Sequence, residues 1–404
     1  MKSNQPALSI AIHERIEILD VIRGFALFGI FTINIASFTP GGPPGFVASG
    51  DVLNNWLTQL LLLLVESKFF TLFSFLFGLG FAIQMIRAEQ RGNRIIPQFS
   101  RRMLGLAVIG FLHIILLWDG DILLLYAMVG ILLLMFRKLK KSTLLRWALL
   151  LLGCMTLLVT FCLISVTALR LFTSFDATLA QADASFIEMF REGQQESIGV
   201  ISKGTFFQLA NERLQSYIDV FPLLLSRIPT VLGMFLLGLY TGKTGIVQNV
   251  DKYMPLFRKI AKWGLGIGIP LNVITLLFFH YTPAITGVLF LFYNQTLMGP
   301  LISLGLASSL VLLCRHSRWG RILAPLAYPG RMALTNYVCQ SVVYSILFYG
   351  YGLGLYGQVQ TWQALLIAIV VYVLQIGISR WWLQRFRMGP LERVWRSVTY
   401  SRIQ

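Results

Sequence analysis

The sequence predicts an all-α, polytopic membrane protein of about ten transmembrane helices, N-in and C-in, with a helical extracytoplasmic cap. Three observations carry this. Apolar residues make up 56% of the chain and charged residues 13%, with a mean hydropathy of +0.70, more than a soluble core needs. Apolar runs long enough to cross a hydrocarbon layer of about 30 Å recur along the whole length. The 34 Lys and Arg, which set a net charge of +17, fall in short clusters between those runs. That distribution orients a membrane protein, so the expected partner is the lipid bilayer and no nucleic acid.

The elements follow in order. The first eighteen residues are polar and mixed in charge, and helix 19–38 carries Asp20 and Arg23 without a small-residue cleavage site, so it reads as a retained helix, not a signal peptide. Helix 66–86 begins at Glu66 and Lys68. Helices 103–118 and 121–136 are short and separated only by Asp119 and Gly120, which predicts a tight hairpin. Helix 144–169 follows a basic cluster. Residues 170–219 hold seven of the seventeen acidic residues, with Phe175, Leu179, Phe186 and Phe190 on one side of amphipathic helices. Helix 220–240 opens with Pro222, Arg227 and Pro229. Helices 263–280, 287–314, 330–350 and 361–383 complete the set, with interfacial helices at 248–262 and 386–396. The organisation is thus residues 1–169, bearing most of the embedded polar groups, a cap at 170–219, and residues 220–404. An inside amino terminus leaves Arg87 to Arg102, Arg137 to Arg146, Lys243 to Lys262, Arg315 to Arg331 and the tail on one face, which is the inner one by the positive-inside rule.

Arg23 is the most informative residue. A charge inside a membrane span marks a function or a buried partner. Asp20 lies one turn before it. Asn34 lies eleven residues after it, almost three whole turns, so both project from one stripe about 16 Å apart. Arg23, Asp20, Asn336 and Gln340 lie toward the inner leaflet; Asn34, Glu66, Lys68, His113, Asp119 and Asp121 lie in the outer half. A carboxylate from Asp119 or Asp121 beside His113 would fix the imidazole tautomer and raise its basicity, as a general base requires. The alternative is a histidine satisfied by a backbone carbonyl or by Trp118. Glu66 and Lys68, two residues apart, need separate partners, and Lys68 can instead snorkel to the boundary. Arg227 is a charge partner, an anion site or a structural residue. His280 and His316 fall at helix ends.

Other motifs carry nothing. Cys154, Cys162, Cys314 and Cys339 lack metal-ligand spacing and read as core residues, so no metal is expected. Gly264-Leu265-Gly266-Ile267-Gly268 has no preceding strand, which excludes a dinucleotide site. No internal repeat is visible, against a transporter of inverted halves. His113 and Asp119 have five residues between them, where the soluble glycerolipid acyltransferases use four.

The chain resembles the bacterial inner-membrane proteins of the YeiB type. The resemblance rests on Leu19-Asp20-Val21-Ile22-Arg23-Gly24-Phe25, on Glu66-Ser67-Lys68-Phe69-Phe70, and on His113 with Trp118-Asp119-Gly120-Asp121-Ile122-Leu123. It continues in Gly330 to Tyr337 with Gln340-Ser341, and in Gly389-Pro390-Leu391-Glu392. That family in turn looks like a branch of the transmembrane acyltransferase superfamily, whose first helix carries an arginine followed, ten intervening residues later, by a histidine or, in the heparan glucosaminide acetyltransferase branch, an asparagine. Arg23 and Asn34 fit that pattern. The resemblance implies a multi-pass protein of the bacterial inner membrane, an acyl-coenzyme A donor whose anionic head meets Arg23, and an acceptor hydroxyl or amine on a small molecule, glycan or lipid outside. Residues 34–65 contain no histidine, so His113 takes the place of the one that other branches carry there.

The expected function is therefore acyl transfer. His113, Asp121, Asn34 and Glu66 form the catalytic set, with Asn34 as an oxyanion-type donor. Arg23, Asn336 and Gln340 hold the donor, and Asp20, Lys68, Asp119 and Arg227 are further candidates. The competing expectations are a proton-coupled transporter using Glu66, Lys68, His113 and Asp121, and a non-catalytic scaffold or sensor. Monomer and homodimer both stay open.

Overall fold

The computed structural model describes residues 6–40, 50–90, 92, 95–281 and 284–400, and their regular structure is helical throughout. The helices are α1 (Pro6–Ala36), α2 (Val52–Leu64), α3 (Lys68–Gln90), α4 (Ile95–Leu116), α5 (Leu123–Leu133), α6 (Lys141–Leu169), α7 (Thr173–Lys203), α8 (Phe206–Ser226) and α9 (Ile228–Thr244). There follow α10 (Met254–Tyr281), α11 (Ala284–Tyr293), α12 (Gly299–Cys314), α13 (Ser317–Leu323), α14 (Ala327–Arg331), α15 (Ala333–Phe348), α16 (Thr361–Arg385) and α17 (Pro390–Tyr400).

This is a multi-spanning all-α membrane protein, with fewer full crossings than the expected ten. Among the described residues seven segments are long and apolar enough to span, and an eighth results if α8 and α9, which meet at 56°, form one broken span. The shortfall lies in two places. The run 121–136 is helical but short, and the run 330–350 is interrupted at Met332, leaving the sixteen residues of α15, about 24 Å of helix. Hydropathy counts apolar residues and does not register a break between them. The chain turns at Asp119–Gly120 as expected, and residues 170–219 fall largely in two amphipathic helices, α7 and α8, the second of which runs on to Ser226. The segment 248–262 is not a separate interfacial helix, because most of it forms the start of α10. The side chain of His280 lies outside the described residues, and His316 occupies the N-cap position of α13 without a side-chain capping bond.

Two breaks in apolar runs shape the interior. Between α2 and α3 the chain turns at Ser67, which adopts a left-handed φ of 66°. The Lys68 ammonium, fully buried, reaches back to donate to Leu62 O (2.8 Å) at the end of α2 and to Asn294 Oδ1 (3.0 Å). A cation on the carbonyl end of a helix gains from its dipole. Asn294 opens a π-helical turn, Asn294–Met298, that leads into α12. Lys68 thus ties three helices together and does not snorkel.

Small residues let the central helices approach. A Cβ at Gly78 would sit 2.0 Å from Phe235 O, and one at Gly238 would sit 2.1 Å from Phe75 O, so α3 and α9 touch backbone to backbone, as membrane helices with small contact residues do. The same close approach joins α1 to the 326–330 segment: a Cβ at Gly24 would meet Leu326 O at 1.9 Å, and one at Gly330 would meet Asp20 O at 1.8 Å. That contact brings Arg331 beside the Asp20–Arg23 turn.

Candidate functional site

Polar side chains in the membrane interior gather around two chambers placed end to end along α1. The cap-side chamber, of about 550 Å³, is lined by Asn34 of α1, Glu66 at the α2–α3 break, Asp119 and Asp121 of the α4–α5 turn, Arg213 of α8, and Arg227 at the α8–α9 bend. The tail-side chamber, of about 320 Å³, is lined by Arg23, by Arg102 of α4, by Arg331, and by Glu392 and Trp395 of α17. Ile30, Ile122 and Tyr337 line both, and form a waist between them.

His113 sits beside that waist. Its ring, 2% exposed, lies against Tyr337 with centroids 5.1 Å apart and planes at 29°. Nδ1 is 3.0 Å from Asp121 Oδ2, an electrostatic contact in which the N–H is not aimed along the line to the oxygen. Asp121 Oδ1 accepts from Leu124 N at 2.8 Å, so the carboxylate also caps the start of α5. Nε2 is 2.7 Å from Ser341 Oγ, and that oxygen is 2.7 Å from the Tyr344 hydroxyl, which shares a hydrogen bond with Asn34. A line of polar side chains therefore runs Asn34, Tyr344, Ser341, His113, Asp121, and begins and ends at the cap-side chamber. Trp118 packs on Phe38 and Tyr344 and leaves the imidazole alone.

The other expected residues separate. Asp119 accepts from Ser216 Oγ at 2.5 Å, with the Arg213 charge nearby, so of the two carboxylates it is Asp121 that faces His113. Glu66 lines the chamber with Ser67 Oγ at 3.5 Å, while the Lys68 side chain bonds Asn294 instead of lining it. Arg227, at the α8–α9 bend, lies over the Phe70 ring at 5.7 Å. Arg23 Nη1 pairs with Asp20 Oδ1 at 2.6 Å. Asn336 and Gln340 face α16 instead of either chamber: Asn336 Nδ2 donates to Ser379 Oγ (3.0 Å), and Gln340 Nε2 donates to Gln375 Oε1 (2.9 Å). They hold α15 to α16.

Four residues of the site were not chosen as candidates from the sequence, although Tyr337 and Ser341 stand in a motif that carries the family resemblance. Tyr337, Ser341 and Tyr344 lie on one face of α15, at i, i+4 and i+7, and hydroxyls at helical spacing in an apolar run were the available signal. Arg213 was hidden among cap charges, although Leu209, Arg213 and Tyr217 recur every four residues on the buried stripe of α8. It is 3% exposed; its Nε donates to Ile115 O at 3.0 Å, it lies over Tyr349, and its Nη2 has no hydrogen-bond partner. Among the described residues no group of three or more His, Cys, Asp or Glu is placed to hold a metal ion.

Comparison with known proteins places the whole chain. Residues 241–402 match the family described as "Protein of unknown function (DUF418)". The chain is 34% identical to the "Uncharacterized protein YxaH" of Bacillus subtilis (strain 168), over 99% of its own length and 97% of that protein's. It is 31% identical to the "Uncharacterized 39.9 kDa protein in amylase 3'region" of Bacillus acidopullulyticus, over 97% and 96%. To the "Uncharacterized protein YeiB" of Escherichia coli (strain K12) it is 30% identical, over 96% of each chain. No solved structure matches. With relatives aligned from end to end, the chain belongs to the YxaH/YeiB-like family of bacterial proteins.

Proposed function

We propose that the protein is a membrane acyltransferase of the bacterial inner membrane, with N-in, C-in orientation. It moves an acyl group from a coenzyme A-type thioester in the tail-side chamber to a hydroxyl or amine in the cap-side chamber. The observation that carries the reading is the waist. Ile30, Ile122 and Tyr337 belong to both chambers, Asp121 immediately precedes Ile122, and His113 lies on Tyr337. Donor and acceptor sites thus meet where an imidazole and a carboxylate are paired.

On the tail side, arginines outnumber carboxylates. Glu392 is committed to Leu334 N at 2.8 Å and Thr335 N at 3.1 Å, where it caps α15. Arg23, Arg102 and Arg331 then favour a phosphate-bearing ligand. On the cap side the acceptor proton passes to the His113–Asp121 pair as its heteroatom attacks the acyl carbon, the carbon–sulfur bond breaks, and the thiolate leaves with a proton. Calorimetry with the purified full chain and acetyl-coenzyme A tests the reading. Binding that weakens in Arg23→Ala supports it; no binding of any coenzyme A thioester removes it.

A second reading draws on the line from Asn34 to Asp121. Linked hydroxyls and an imidazole pass protons, and two chambers divided by a waist suit a proton-coupled transporter. Vesicle flux driven by a pH gradient and lost in Glu66→Gln would favour it over transfer.

A further inference from the structure

We propose that Ser341 is a nucleophile that carries the acyl group covalently between the two chambers; this rests on the acyl-transfer reading and adds an intermediate to it. Asp121, His113 and Ser341 stand in the order carboxylate, imidazole, hydroxyl, with Oδ2 3.0 Å from Nδ1 and Nε2 2.7 Å from Oγ. That is the constellation by which a weak hydroxyl is activated: the imidazole takes its proton and the carboxylate steadies the imidazolium. The side chain behind Ser341 fits the role. When Ser341 donates to Nε2, the Tyr344 hydroxyl is free to donate to Oγ, so charge developing on Oγ meets a donor already in place.

The location supplies the reason for a covalent carrier. Ser341 lies one turn after Tyr337 on α15, and its Oγ also lies 3.3 Å from the Tyr337 carbonyl. The Tyr337 ring covers His113 and walls both chambers. Its buried hydroxyl lacks a well-aligned hydrogen bond and has only the Ile122 backbone beside it, so swinging the ring gives up little. Ser341 itself is fully buried. Motion of that one ring exposes the hydroxyl first to one chamber and then to the other, and no open channel between the membrane faces is needed.

The steps balance. Ser341 Oγ attacks the thioester carbonyl while its proton moves to His113 Nε2. The carbon–sulfur bond breaks, and the thiolate leaves as a thiol with that proton, which gives an acyl-serine ester. An acceptor O–H or N–H then attacks the ester carbonyl and gives its proton to Nε2. The bond between the acyl carbon and Ser341 Oγ breaks, the acyl group stays on the acceptor, and Oγ regains the proton from Nε2.

The test incubates the purified full chain with 4-nitrophenyl acetate, which needs no recognition of coenzyme A, and separately with acetyl-coenzyme A, followed by acid quench and peptide mass mapping. One acetyl group on the peptide containing Ser341 is expected. It is absent in Ser341→Ala, transferred to the thiol in Ser341→Cys, and formed about 100-fold more slowly in His113→Gln. The cysteine variant guards against a fold lost with the alanine. No acetyl on Ser341 or on its cysteine replacement with either probe overturns the proposal, as does acyl transfer at the wild-type rate in Ser341→Ala. Labelling by the nitrophenyl ester but by no coenzyme A thioester upholds Ser341 and removes the donor reading. Transfer from acetyl-coenzyme A without a Ser341 adduct does the reverse.

Discussion

The cap-side and tail-side chambers lie on one helix, α1, yet they treat charge differently. On the cap side, both signs of charge meet: Asp121 faces His113, Asp119 holds Ser216 near Arg213, and the imidazole is buried in a line of hydroxyls. On the tail side, the arginines lie at a less enclosed wall, Arg23 with its side chain 29% exposed, and the one lining carboxylate is used to cap α15. Buried, internally satisfied polar groups hold fixed geometry, which chemistry needs. A surplus of cations at an accessible wall attracts and holds an anion, which docking needs.

Substitutions that strike one chamber and spare the other probe this contrast. The largest effect is expected from His113→Ala, which should slow acyl transfer by about 1,000-fold, or about 4 kcal/mol, while donor binding stays within about twofold. Equal losses of binding and rate would show that the chambers are not separate. Next, Gly330→Ala forces a methyl against Asp20 O and should cost about 3 kcal/mol of stability in detergent melts, with weaker donor binding. A silent Gly330→Ala would mean that Gly330 does not meet the α1 backbone at Asp20. Arg23→Ala should weaken coenzyme A binding by about 30-fold, an effect that shrinks in high salt, and leave 4-nitrophenyl acetate turnover intact. The smallest change is expected for Trp395→Phe. It removes the hydrogen bond from Trp395 Nε1 to Arg102 O (2.7 Å) and weakens the stacking of Arg102 on the ring. About 1 kcal/mol should be lost from the docking of α17, seen as faster hydrogen exchange in that helix alone.

Much of the site was legible as a set of residues, less as a set of partners. Arg23, Asn34, Glu66, Asp119, Asp121 and Arg227 were chosen as charges or amides in apolar surroundings, and all six line a chamber. Lys68 was chosen on the same ground and turned out to bond the end of α2, because composition does not distinguish a buried cation that faces a cavity from one that faces a carbonyl. Asn336 and Gln340 carry the same lesson: an amide in a span reads alike whether it meets a ligand or the next helix. Ser341, named only within a family motif, and Tyr344 were not chosen as site residues because a hydroxyl costs little in a membrane helix, where it can bond its own backbone.

The amino-acid sequence alone determined that this chain is a multi-spanning membrane protein, where its apolar runs lie and which side chains pay a desolvation cost there, since these depend on local composition and on a 1.5 Å rise per residue. Only the tertiary structure decided that α4, α15 and α1 bring His113, Ser341 and Asn34 into one line, that Tyr337 closes the space between two chambers, and that α14 sets Arg331 beside Arg23. Those outcomes depend on how closely helices cross. The spacing is set by glycines such as Gly24 and Gly330 meeting backbone from remote parts of the chain, which no reading of one segment at a time contains.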